Sequence, residues 1–88
     1  MSRQRNLEVI VKSEFVTIGE LVRLTGIRYS TLKFYTEEKM IPFFQEEEKL
    51  TRRYNRVETI KLLNRIKELK TSGLTIPELK EQLKGYIK

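Results

Sequence analysis

Apolar residues in this chain recur at helical spacing in four separate stretches, each bracketed by residues that start or stop a helix. Thr17 and Glu20 stand three apart, the spacing at which a hydroxyl and a carboxylate satisfy each other's orphan backbone donors, and Ile18, Leu21 and Val22 follow. Thr25-Gly26 stops this first helix by offering a residue that tolerates left-handed backbone. A second helix, from about Arg28 to Glu38, places Ile27, Leu32 and Tyr35 on its inner side and Tyr29, Ser30 and Lys33 on its outer side. Two short apolar segments, Met40 to Phe44 and Leu50 to Tyr54, flank the polar stretch Gln45 to Lys49, which predicts a hairpin, with Pro42 marking where a helix cannot continue.

Asn55 and Glu58 repeat the capping spacing and open a third helix to about Thr71, closed by Ser72-Gly73. Its apolar residues Val57, Ile60, Leu62, Leu63, Ile66 and Leu69 cover a wide arc, as a helix packed from more than one side requires. Thr75 and Glu78 cap a fourth helix with Pro77 in its first turn and Leu79, Leu83 and Ile87 as its inward stripe. Leu7 to Val11 is a short β-branched run that reads equally as an edge strand or an ordered arm. The expected organisation is an N-terminal arm over 1–14 and one domain over 15–88.

Composition narrows the chemistry. The chain has 88 residues, 39% of them hydrophobic, enough for one modest core. It has no Cys, His, Asp or Trp. Without thiolates or imidazoles there is no ligand set for zinc or iron, and acid–base work near neutral pH lacks its usual side chain. The expectation is a non-enzyme with no cofactor and no metal. No apolar run approaches ~18 residues, so no membrane span is expected, and the chain reads as cytoplasmic.

Net charge is +6, and it is unevenly placed. Lys49 to Lys70 carries eight bases against two Glu, while Glu37 to Glu48 carries five Glu against Lys39. A basic segment of that strength favours an anionic partner, and double-stranded DNA is the common one, although a Lys/Arg-rich helix can also be simply a solvated face.

Two inward positions, a glycine, an aliphatic and a second inward stripe form the order of a helix-turn-helix. The series Thr17-Ile18-Gly19-Glu20-Leu21, Thr25-Gly26-Ile27, Thr31-Leu32-Lys33-Phe34-Tyr35 and Met40-Ile41-Pro42 resembles the winged helix-turn-helix of the MerR family of transcription regulators. Arg52-Arg53-Tyr54 resembles that family's Arg-x-Tyr wing signature, and the similarity covers about residues 15 to 84. It implies a mainly α fold, a four-helix winged helix-turn-helix with a short two-stranded β-wing.

The resemblance also implies roles at matching positions. Lys33 stands at a recognition-helix base, Tyr29 and Ser30 among residues near base edges or phosphates, and Tyr35 where a hydroxyl meets a phosphate. Arg52 matches the wing arginine and Lys70 a third-helix lysine; with Arg28, Arg53 and Lys67 these complete the expected DNA-binding set. Structural readings stand beside them: Tyr35 as a core ring with a wet tip, Arg53 and Arg65 as solvated charges, Phe43 and Phe44 as wing-to-core packing. The chain departs from the family pattern in several places. Phe34 replaces a tyrosine, Arg28 replaces a hydroxyl cap, and Thr36 stands where an acidic residue is usual. Glu46, Glu47 and Glu48 at the wing tip would repel phosphate and leave a protein contact open.

Only four residues follow the fourth helix, so effector sensing is not expected here, and occupancy of a full site implies self-association or a missing dimerisation segment. Two rival readings accompany the regulator: an excisionase-like architectural DNA-binding protein in recombination, and a protein-interaction adaptor using the acidic wing and the basic third helix.

Overall fold

The computed structural model describes residues 5–47 and 50–84. The elements run α1 (Leu7–Ile10), β1 (Phe15–Val16), α2 (Ile18–Thr25), α3 (Tyr29–Glu37), β2 (Tyr54–Asn55), α4 (Arg56–Thr71) and α5 (Ile76–Leu83).

The caps hold where the sequence places them. Thr17 Oγ1 accepts from the Glu20 amide at 3.2 Å, and the Glu20 carboxylate accepts from the Thr17 amide at 2.9 Å. Thr75 and Glu78 repeat this reciprocal arrangement at the start of α5. At α4 only half of it forms: Asn55 Oδ1 accepts from the Glu58 amide at 2.9 Å. Gly26 ends α2 at φ 74°, left-handed, with its amide on the Val22 carbonyl.

α3 ends where the sequence places it, within a residue of Glu38. The helix stops at Glu37, well before Pro42, through a turn that puts Lys39 at φ 61°. Met40 donates to the Tyr35 carbonyl at 2.8 Å and Lys39 to the Thr36 carbonyl at 3.1 Å, the paired bonds of a Schellman turn. Burial of Met40 and Ile41, both 1% exposed, draws the chain back into the core and compensates for a left-handed lysine.

The sheet is also rearranged. Among the described residues the hairpin predicted over residues 40 to 54 contracts to one bridged pair, Phe44 and Arg53, whose amides and carbonyls exchange bonds of 2.7 and 2.8 Å. The paired strands are instead β1 and β2, antiparallel, with Phe15 opposite Asn55 and Val16 opposite Tyr54. Burial sets that register: Val16 and Tyr54 share the inner face, and a one-residue slip of either strand would turn its buried residue outward. Leu7 to Val11, read as edge strand or ordered arm, is a helical turn rather than a strand. Asn6 caps it by accepting from the Val9 amide, and Ile10 is fully buried.

One core joins Ile10, Val16, Leu21, Leu32, Met40, Ile41 and Tyr54 to Leu62, Leu63, Ile66 and Leu69 of α4 and Leu79 and Leu83 of α5. α4 is thus the central helix that its wide apolar arc predicts, while Val57 faces solvent. Ile87 and Glu48, to which the sequence assigns an inward stripe and a wing tip, lie outside the described residues. Among those described, no helix is long and apolar enough to cross a membrane.

Candidate nucleic-acid interface

α2 and α3 form the helix-turn-helix, and α3 carries the candidate base readers. Leu32 is fully buried and fixes which way the helix faces; Arg28, Tyr29, Ser30 and Lys33 are exposed as a result. Arg28 occupies the N-cap position in extended backbone and makes no side-chain cap bond, as its lack of an acceptor requires. Phe34 is also exposed, its ring 6.0 Å from that of Tyr35.

Tyr35 is a core residue with its polar tip at the edge. Its ring is buried, and its hydroxyl reaches the surface within 3.5 Å of Lys70 Nζ, joining α3 to α4. Tyr35, Lys67 and Lys70 line one groove of roughly 630 Å³ together with Ile27, Ile60 and Asn64. The structure therefore brings Tyr35, Lys67 and Lys70 together and sets Lys61 and Arg65 apart. The helical period turns those two away, and Arg65 pairs with Glu68 at 3.2 Å on the outer side of α4.

The two wing arginines part company. Side chains alternate along an extended strand, so Arg53 shares a face with Phe15 and Phe44, while Arg52 falls on the face of Phe43 and Tyr54. The contacts agree. The Arg52 guanidinium lies 4.6 Å over the Phe43 ring, whose centroid is 6.3 Å from that of Tyr54. Phe44 packs edge-on against Phe15 at 5.3 Å, and Arg53 lines the shallow groove beside them with Glu46 and Leu50. Arg52 thus lies on the face whose Tyr54 meets Thr36 of α3, and Arg53 on the opposite face. The expected wing-to-core packing is only partial: Phe43 rests against Tyr54 but is 36% exposed, and Phe44 is 61% exposed. Glu46 and Glu47 are exposed.

Ion pairs hold the elements around this surface. Arg5 forms a forked pair with Glu20, at 2.6 and 2.7 Å, and donates to the Phe15 carbonyl, fastening the segment before α1 to the N-terminus of α2. The Arg5 guanidinium holds the Glu20 carboxyl below its ordinary range; burial opposes this and the Thr17 amide reinforces it. Lys80 of α5 meets Glu38 at the end of α3 at 2.6 Å.

Sequence reasoning missed the partner of Thr36. Thr36 Oγ1 donates to the Leu32 carbonyl at 2.9 Å and lies 2.8 Å from the Tyr54 hydroxyl, both groups buried. A neutral residue suits this site because a carboxylate would be desolvated there with no base beside it. The signal was present in the inner stripe, where Thr36 follows Leu32 by one turn.

No curated protein and no solved structure matches the chain. The sequence model of the MerR HTH family regulatory proteins matches residues 16–86, from β1 past the end of α5. With helix-turn-helix, wing and basic α4 in the order that family requires, the chain belongs to the MerR helix-turn-helix family of DNA-binding transcription regulators.

Proposed function

We propose that this chain regulates transcription in the cytoplasm by sequence-specific binding to double-stranded DNA, with α3 in the major groove and Arg52, Lys67 and Lys70 on flanking phosphates. The observation that carries this reading is the junction of Tyr35 and Lys70. The hydroxyl and the ammonium lie 3.5 Å apart at the seam of α3 and α4, so one phosphate can receive both while Lys33, Tyr29 and Ser30 face the bases. Arg28 adds charge at the start of α3, beside its uncapped first turn. Arg53, on the other face of the sheet, would meet phosphate only where the duplex bends around the wing.

One such module reaches one half-site, so occupancy of a full site requires two copies, through self-association or a further dimerising segment.

The test is selection of bound fragments from random duplexes, followed by titration of the enriched site and a scrambled one. Lys33→Ala should weaken the enriched site by about 1–3 kcal/mol and the scrambled site much less. Loss of both in equal measure would reduce Lys33 to a phosphate anchor, and failure to enrich any sequence would defeat sequence-specific binding. The exposed Phe44 beside Glu46 and Glu47 favours a second reading, a protein contact at the wing tip. Binding to no duplex at low salt would favour an adaptor, and enrichment of repeated direct sites with cooperative filling would favour an architectural, excisionase-like protein.

A further inference from the structure

We infer that Thr36 and Tyr54 form a hydroxyl strut between α3 and the wing that positions Arg52 against the recognition helix, tying phosphate binding by the wing to base reading by α3. The inference rests on the DNA-binding reading above.

The bond directions follow from the inventory of hydrogens. A carbonyl only accepts, so the single hydroxyl hydrogen of Thr36 goes to Leu32 O at 2.9 Å. The 2.8 Å contact must then be Tyr54 donating to Thr36 Oγ1. The result is a directed chain from the wing strand through Thr36 into the backbone of α3. Thr36 is 2% exposed and Tyr54 1%, so water does not compete for either hydroxyl and each polarises the other.

Each end of the strut sits next to a residue with a proposed DNA contact. Leu32 precedes Lys33, and Thr36 follows Tyr35, whose hydroxyl meets Lys70. Consecutive residues of α3 are thereby fastened to α4 on one side and to the wing on the other. At the far end Tyr54 is held to Val16 through the sheet, packs on Phe43, and Phe43 supports the Arg52 guanidinium. The Phe44–Arg53 bridge, the Gln45 side chain on the Leu50 carbonyl and the Leu50 amide on the Glu47 carbonyl tie the loop to itself, whereas the Arg52 guanidinium rests on the Phe43 ring. The direction in which Arg52 points is therefore set from beneath, by Tyr54 and its bond to Thr36. A purely stabilising bond would leave that direction unaffected.

The decisive protein is the double variant Thr36→Val/Tyr54→Phe. It removes both hydroxyls while keeping the shape of both side chains, so no buried group is left without a partner and the melt should stay near that of the parent. In salt titrations on the enriched duplex the slope of log affinity against log salt should fall by about 0.9, one phosphate contact, matching Arg52→Ala. Adding Arg52→Ala to the double variant should then change little, because the two act through one contact. A double variant with a parental melt and parental slope, in which Arg52→Ala costs what it costs in the parent, would overturn the strut. An unchanged slope for Arg52→Ala in the parent itself would remove both the strut's role and the wing contact beneath it. Should the double variant unfold, Tyr54→Phe alone carries the same comparison, since Thr36 keeps its bond to Leu32.

Discussion

Two buried threonines of this chain should respond with opposite signs to the same substitution. Thr59 lies in α4 with no exposed surface, and its hydroxyl has no hydrogen-bond partner among the described residues. Burying a hydroxyl without a partner costs about 1–3 kcal/mol by mutational measures. Valine has the same shape, differs little in helix propensity and lacks the polar atom. Thr59→Val should therefore stabilise the protein by about 1–2 kcal/mol, a rise in midpoint of roughly 4–8 °C per kcal/mol for a domain of this size. Thr36→Val is the matched control, because it strands the Tyr54 hydroxyl inside the core and should cost about 1–3 kcal/mol. Urea melts followed by far-UV circular dichroism read both, with an unchanged slope showing that the surface exposed on unfolding is the same. If Thr59→Val destabilises as much as Thr36→Val, the Thr59 hydroxyl has a partner and the reasoning fails.

Other outcomes follow from single features. Lys39→Gly removes an L side chain from a left-handed position and should raise stability by about 0.5–1 kcal/mol; a loss would mean the lysine side chain offsets its own strain. Glu20, held below its ordinary carboxyl range chiefly by Arg5, contributes stability that is present above the unfolded value of 4.5 and lost as pH falls through the lower folded one. Urea midpoints measured from pH 7 downward should thus drop more steeply below that value in the parent than in Glu20→Gln, and parallel curves would show that the pair contributes nothing. Lys70→Met should lower affinity for specific and scrambled duplexes alike and reduce the salt slope by about 0.9, whereas an effect confined to one sequence would make Lys70 a reader of bases.

The sequence by itself determined whatever is settled within one helical turn or by a spacing of apolar residues. The reciprocal caps at Thr17 and Thr75, the left-handed Gly26, the inward Leu32 and Tyr35 and the wide arc of α4 need only neighbours three or four residues away. The ordered motifs of the helix-turn-helix were legible for the same reason. Tertiary structure alone decided the rest. Leu7 to Val11 is too short for its periodicity to choose between strand and helix, and the burial of Ile10 settles it. β1 pairs with a strand nearly 40 residues away because Val16 and Tyr54 must share one buried face, a demand invisible in either segment. That pairing also separates Arg52 from Arg53, adjacent in sequence and opposite in space, and brings Tyr54 to Thr36. Hydroxyl contacts of this kind depend on where two distant backbones are held by the packing of everything between them.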